Sequence, residues 1–199
     1  SYPFLRLKND AREYQLTCHG VLSDAFTIYD GTAGSHRFLI SSDGQIGVNN
    51  SSPDAWHPSY RSIQIHDAGV LYGSQDDSFV GLGANHYLNT SGNFIYSNSD
   101  FASRFYHVNG EFYFEGAASG TGGNSFSFTQ RLRITSTGQI RIDQATSANN
   151  GIRIRPSGWN YDFRIGAVSS SGGSIWLGQN YEPTVSYTHL RAHETRFYL

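Results

Sequence analysis

Methionine is absent from the 199 residues of this chain, and cysteine occurs once, at Cys18. A lone cysteine excludes an internal disulfide and a cysteine-rich zinc site, so we expect Cys18 to be a small buried hydrophobe. No apolar run approaches the roughly 18–20 residues of a membrane helix, which argues against membrane insertion. Charged residues make up only 15 % of the chain at a formal net charge of −2, so no nucleic-acid groove is expected.

Glycine and aromatic residues are abundant instead. The chain has 22 Gly, 13 Tyr and 13 Phe, a composition typical of strands and tight turns. No segment has a helical period long enough to predict a helix. We therefore predict an all-β protein of consecutive antiparallel β modules with little or no helix.

The segment 185–199, VSYTHLRAHETRFYL, matches the translation of a common sequencing-library adapter. We expect it to be a non-native tail and exclude it from the fold. The exclusion also removes His189 and His193, whose i, i+4 spacing with Glu194 would otherwise suggest a metal site. Without the tail the net charge becomes −3, and residues 1–184 are expected to be an internal fragment of a longer protein.

One short phrase occurs twice, as RFLISSDGQIGV at 37–48 and RLRITSTGQIRI at 131–142. Both copies have apolar-alternating arms around a Ser/Asp/Thr-Gly centre, which predicts a β-hairpin. A three-residue loop, with Gly44 or Gly138 in the left-handed position, keeps apolar and arginine residues on separate faces in both copies. It pairs Ile40 with Ile46 and Phe38 with Val48, then Ile134 with Ile140 and Leu132 with Ile142.

Each copy of the repeated hairpin is predicted to end a module, so the two copies set the module boundaries along the chain. The predicted parts are module one at 1–48, a Pro-containing connector at 49–61, module two at 62–142, a linker at 143–151 and a truncated module three at 152–184. Within module two, Asn109 and Gly110 predict a two-residue type I′ turn that pairs Phe105 with Phe114. Each module is expected to be either sandwich-like or part of an intertwined β-prism.

Aromatic and polar residues cluster in module three, which suggests contact with a glycan. A ring covers the apolar face of a sugar, and neighbouring polar groups bind its hydroxyls. Trp159 and Trp176 could equally be core residues of the module, and Trp56 in the connector could bind sugar or fill a module junction. The candidate glycan contacts are Trp159, Tyr161, Asp162, Trp176 and Tyr181.

No catalytic, cofactor or metal residues are predicted. Glu111 and Glu115 face the same way on one strand, but four residues separate them by roughly 13 Å. A glycosidase pair needs about 5–9.5 Å, so these two do not form one. The histidines outside the tail lack metal-ligand spacing. Carboxylates from separate modules could still meet in the fold.

The stretch SSDGQIGVNNSSPDA, residues 41–55, resembles a phrase that recurs in bacteriophage tail fibres and related virion appendages. In that family it often precedes a C-terminal intramolecular chaperone of the endosialidase type, which is absent here. The second copy departs from the pattern because DQATSANN follows Ile142, with no Ser-Pro. The resemblance implies a homotrimer on the virion that acts outside the cell and binds a host-surface glycan or protein receptor.

Two alternative functions remain open from the sequence. A secreted bacterial adhesin or carbohydrate-binding module would share the β-rich composition. A polysaccharide-degrading tailspike fragment would additionally need two carboxylates within about 10 Å in a groove. The main expectation is a structural and host-attachment segment without chemistry of its own.

Overall fold

The computed structural model describes residues 3–142 and the backbone of three later strands, Ile152–Ile154, Phe163–Ala167 and Ile175–Gln179. Strands hold 52 % of the chain and helix 2 %, so the predicted all-β class is confirmed. Helix in the described part is limited to one 3-10 turn, Gly20–Leu22. No helix among these residues has the length and apolar character needed to cross a membrane.

Short strands follow one another along the chain. The first eight are Phe4–Lys8 (β1), Glu13–His19 (β2), Ala25–Asp30 (β3), Ser35–Ile40 (β4), Ile46–Val48 (β5), Tyr60–Ile65 (β6), Gly69–Ser74 (β7) and Val80–Ala84 (β8). The next seven are Tyr87–Leu88 (β9), Phe94–Ile95 (β10), Ala102–Val108 (β11), Glu111–Ala117 (β12), Ser125–Phe126 (β13), Thr129–Ile134 (β14) and Ile140–Ile142 (β15). Ile152–Ile154, Phe163–Ala167 and Ile175–Gln179 are β16, β17 and β18.

The first compact unit, Ser1–Asp143, contains one long sheet. Its twelve strands run in the order β1-β2-β3-β4-β5-β6-β7-β8-β11-β12-β14-β15, and a small second sheet has the order β13-β10-β9. Every pair in the long sheet is antiparallel except β5 with β6, which are parallel. The predicted modules one and two therefore share one sheet through this parallel pair. In the second unit, Gln144–Leu199, strands β16, β17 and β18 form an antiparallel sheet.

The repeated hairpin has the register that its pattern predicts. Gly44 and Gly138 adopt φ of 84° and 82°, and each N–H donates to a carbonyl three residues earlier at 2.9 Å. The cross-strand pairs are Ile40 with Ile46, Phe38 with Val48, Ile134 with Ile140 and Leu132 with Ile142.

The predicted Asn109-Gly110 turn is also present. Both residues have positive φ, at 52° and 76°, as a type I′ turn requires. The turn pairs Phe105 with Phe114 and stacks Tyr106 on Tyr113, with ring centroids 4.7 Å apart.

The main core lies on one face of the long sheet. Trp56, Val70, Tyr72 and Leu88 are buried together there, with rings of the connector and the small sheet packed around them. Trp56 is only 2 % exposed and its ring centroid is 4.8 Å from that of Tyr72. Trp56 therefore packs in the core, and its ring is not accessible to a sugar.

The buried face is not the one that the repeated hairpin suggests. Its aliphatic pairs lie on the other side of the sheet, where Ile40 is 37 % and Ile140 is 68 % exposed, whereas Leu39 on the opposite side is 2 % exposed. Cys18 is exposed as well, contrary to expectation. The reason is that the connector and the small sheet pack on the side of the sheet that carries Leu39. The side that carries the aliphatic pairs of the hairpins is left uncovered.

His86 lies inside this core as a neutral ring. Its ring centroid is 5.0 Å from that of Phe128 and 5.5 Å from that of Tyr72, and its Nδ1 is 3.2 Å from the carbonyl oxygen of Ala84. Burial, together with the charge of Arg104, lowers the pKa of His86 to about 4, against the hydrogen bond to the Ala84 carbonyl, which raises it. The protonated form is therefore disfavoured in the folded chain.

Acid is expected to destabilise the chain through His86. The unfolded state takes up the proton near pH 6.5 and the folded state only near pH 4, so stability is lost as pH falls through that window, by up to about 3 kcal/mol. Asp54 contributes to the pH dependence of stability with the opposite sign. Burial raises its pKa to about 6, so its protonation as the pH falls favours the folded state. Urea unfolding at fixed protein concentration between pH 7 and pH 4 measures both effects.

His86→Gln is expected to flatten the acid loss of stability, and Asp54→Asn is expected to steepen it. The two substitutions serve as controls for each other because their effects on the pH dependence differ in sign. An unchanged pH dependence in His86→Gln would contradict a neutral buried ring.

Candidate functional site

The candidate glycan residues of module three are left untested. Trp159, Tyr161, Asp162 and Tyr181 lie outside the described residues. Trp176 lies in β18, where its backbone pairs with Gly166 of β17. The structure therefore neither gathers these residues into a site nor separates them.

Glu111 and Glu115 each pair with an arginine. Glu115 contacts the guanidinium of Arg104 at 2.6 Å, and Glu111 contacts Arg133. The hydrogen bond from Arg133 and a second from Tyr113 hold the pKa of Glu111 below its usual range. Both carboxylates therefore stabilise the strands, and Arg133 is an ion-pair partner of Glu111. No group of three His, Cys, Asp or Glu able to hold a metal occurs among the described residues.

The uncovered side of the long sheet, which we call the apolar face, carries large hydrophobic side chains from β1 to β15. One cross-strand row runs from Phe26 through Ile40, Ile46, Ile63, Leu71, Leu82, Phe105, Phe114 and Leu132 to Ile142. The members that are at least 37 % exposed are Leu5, Leu7, Tyr14, Phe26, Ile40, Ile65, Leu71, Val80, Leu82, Phe105, Phe112, Phe114, Ile140 and Ile142.

This face is larger than a monomer ordinarily exposes. Aromatic side chains present about 150–250 Å² each, so its five rings, at about 40 % exposure, leave roughly 300–500 Å² open by themselves. The nine aliphatic members add to that area. The largest patch on a typical monomer is about 300–600 Å², and a stable interface takes about 800 Å² from each partner. The apolar face therefore has the area of an assembly interface.

A second feature, the aromatic pocket, lies on the opposite side of the sheet at β1 to β4. It has a volume of about 560 Å³ and is lined by Phe4, Gln15, Thr17, His19, Tyr29, Gly34 and His36. Sequence reasoning missed it because the residues come from four strands and the turn between two of them. The alternation of aromatic and polar residues along β2 and β3 is the only local signal.

A third feature, the polar cleft, is formed by three loops. Its volume is about 350 Å³, and its lining residues are Asn49, Asn50, Ser51, Ser52, Asp54, Asp67, Ser97 and Asn98. Burial, together with the nearby charge of Asp67, raises the pKa of Asp54 to about 6, against a hydrogen bond from Ser97 that lowers it. A carboxylate from the connector and one from module two thus line the same cleft. The sequence alone could neither predict nor exclude this.

Gln45, which follows the glycine in the first copy of the repeated phrase, has a buried side chain that bonds to a neighbouring strand. The side chain is 2 % exposed, and its Oε1 accepts hydrogen bonds from the backbone N–H and the hydroxyl of Ser62 at 2.9 and 2.8 Å. Its Nε2 donates to the carbonyl of Tyr60 at 3.3 Å. Gln45 therefore joins the first hairpin to β6 beside the parallel pair, whereas Gln139 in the second copy is exposed.

Comparison with known proteins identifies no family for this chain. No protein-family model, no curated protein and no solved structure matches it. The apolar face, the aromatic pocket and the polar cleft are therefore the basis on which a function is assigned.

Proposed function

We propose that the chain is a structural and host-attachment segment of a bacteriophage tail fibre, without catalytic activity of its own. The observation that carries this proposal is the apolar face, which extends along all twelve strands of the long sheet. At about 4.8 Å between strands, such a sheet reaches roughly 50 Å across its strands. A strip of this length that is uncovered along one side suits an extended assembly of several chains.

Copies of the same chain are the partners that fit. An identical strip offers the same length and the same apolar surface, so each copy buries what the other exposes. Three copies whose sheets meet edge to edge form a prism with the apolar faces inside. Two copies whose apolar faces pack together form a sandwich. The resemblance to trimeric virion appendages favours three, with the assembly located on the virion and acting outside the cell.

The mass of the whole chain in solution tests the assembly. We expect three times the mass of a single chain by light scattering coupled to size-exclusion chromatography, because the apolar faces are then buried. Twice that mass would replace the prism by a sandwich. A single-chain mass at micromolar concentration would overturn the proposal that the segment is part of a multi-chain fibre.

A secreted bacterial adhesin or carbohydrate-binding module is the alternative reading of the same β-rich segment. The gene context separates the two, since tail genes beside the coding sequence support the fibre and a signal peptide supports the adhesin. Neither the fibre segment nor the adhesin requires catalysis.

The polar cleft favours a second candidate, a polysaccharide-degrading tailspike. Asp54 has the raised pKa of a general acid, and Asp67 supplies a second carboxylate in the same cleft. In that case the chain releases reducing ends from a host polysaccharide, and Asp54→Asn abolishes the release. Asp76→Asn, at an exposed acid outside the cleft, is the matched control. No release of reducing ends by the unmodified chain would remove this candidate.

A further inference from the structure

The aromatic pocket combines rings with hydrogen-bonding groups. The ring of His36 lies 4.9 Å from that of Tyr29 and 5.4 Å from that of His19. Phe4 closes one side of the pocket and is 50 % exposed. A volume of about 560 Å³ falls within the range of small-molecule sites, about 300–1,000 Å³. The pocket therefore has the size and the mixed surface that a sugar ring needs.

Gln15 is the polar group held in place beside the rings. Its Nε2 donates to Oε1 of Glu13 at 2.7 Å, and Glu13 in turn contacts Arg6 at 3.3 Å. The Gln15 amide has a second N–H and a carbonyl oxygen for which the described residues supply no side-chain partner. One amide thus offers both a donor and an acceptor, the pair that a sugar with vicinal hydroxyls engages.

Two buried polar atoms beside the pocket have no hydrogen-bond partner among the described residues. They are Oγ1 of Thr27 and Nδ1 of His36. Thr27 is fully buried and pairs across the strands with Thr17, which lines the pocket. A buried polar atom without a partner costs about 1–3 kcal/mol. His36, unlike Thr27, lines the pocket, so a ligand hydroxyl bonded to its Nδ1 would recover that cost.

The turn before His36 is rigidly held, which sets the pocket wall. Asp30 is fully buried and accepts hydrogen bonds from the N–H of Thr32 and of Ala33. Its other oxygen contacts Arg12 and Arg37, each at 2.9 Å. The bond from Ala33, together with the arginines, holds the pKa of Asp30 below its usual range, so the turn stays fixed at neutral pH.

The charge balance of the pocket points to a neutral ligand. Burial, with His19 close by, lowers the pKa of His36, so its ring carries no charge at neutral pH. Arg6 at the rim contacts the carboxylate of Glu13 at 3.3 Å, and Glu13 also contacts Lys8 at 3.8 Å. A purely apolar ligand would leave the second N–H and the carbonyl oxygen of Gln15 unmatched, and the lining contains no arginine or lysine to bind an anion.

The position of the pocket agrees with attachment to a surface. It lies on the side of the long sheet opposite the apolar face, so the assembly that buries the apolar face leaves the pocket outside. We propose that the aromatic pocket binds a neutral hexose unit of a host-surface glycan, stacked on Phe4 and Tyr29 and hydrogen-bonded by Gln15. This inference rests on the proposed attachment function and gives it a site within the first four strands.

Binding of free sugars by the whole chain tests the site. The probes are the methyl glycosides of glucose, galactose, mannose and N-acetylglucosamine, measured by saturation-transfer NMR and titration calorimetry. We expect at least one to bind and both Phe4→Ala and Gln15→Ala to weaken it at least tenfold. Phe101→Ala removes a ring that is 67 % exposed outside the pocket and is expected to leave binding unchanged.

The outcomes separate the pocket from the assembly. No binding by a chain that has the mass of an assembly overturns the pocket and leaves the fibre segment in place. Binding by a chain of single-chain mass supports the pocket and overturns the multi-chain fibre. Sugar binding that survives both pocket substitutions places the site elsewhere and overturns the inference. Thermal unfolding of each variant confirms that weaker binding does not come from a lost fold.

Discussion

Leu82→Glu is expected to reduce the assembled chain to single copies. Leu82 is 56 % exposed near the middle of the apolar face and pairs directly with Leu71 and Phe105. Burying an unpaired carboxylate between apolar faces costs several kcal/mol in every copy. Each 1.4 kcal/mol weakens association tenfold, so even about 3 kcal/mol per copy removes the assembly at micromolar concentration.

Val21→Glu is the matched control for this substitution. Val21 is an apolar residue, 72 % exposed, in the 3-10 turn and outside the strands of the apolar face. Val21→Glu adds the same charge as Leu82→Glu, and the mass measured by light scattering is expected to stay that of the unmodified chain. If Leu82→Glu also kept the unmodified mass, the apolar face would not be the interface.

Gly83→Ala is expected to be strongly destabilising, because the added methyl group would enter the packed core. A Cβ at Gly83 would lie 2.1 Å from Cε1 of His86 and 3.0 Å from each ring nitrogen, and that ring is 2 % exposed. The His86 ring cannot move away from the added methyl group, because it packs against the rings of Phe128, Tyr72 and Phe94. We expect a loss at or above the upper end of the range for overpacked cores, about 1–3 kcal/mol.

Thermal and urea unfolding at one protein concentration measure this loss. In a unit of this size 1 kcal/mol corresponds to about 2–4 °C, so Tm is expected to fall by roughly 6–12 °C. Gly73→Ala is the control, since its Cβ would meet nothing closer than the Phe79 carbonyl oxygen at 3.5 Å. The double variant Gly83→Ala/His86→Ala is expected to lose less than the sum of its parts, and strict additivity would contradict the contact.

The hairpins were predictable from the sequence because their geometry is local. A left-handed glycine and a two-residue alternation decide loop length and register within twelve residues, as in the pairs around Gly44 and Gly138. The Asn109-Gly110 turn follows the same rule. The all-β class likewise follows from abundant glycine and aromatic residues without helical periodicity.

The candidate sites were less accessible to sequence reasoning, because their residues are far apart in the chain. Asp54 and Asp67 share a cleft only because three loops meet. Tyr29 and His36 face Phe4 only because β1 to β4 pair side by side. The cluster of aromatic and polar residues predicted in module three falls mostly on residues whose structure is not described.

Local pattern therefore sufficed for the hairpin turns and their registers, since each depends on neighbours within a few residues, whereas the parallel pair of β5 and β6 and the small sheet were not predicted. Which side of the sheet is covered depended on long-range packing. Alternation indicates that β4 and β5 have an aliphatic face, but the connector carrying Trp56 and the small sheet pack on the other side. Burial is a property of whatever elements come to lie against a face, and a period of two residues contains no information about them.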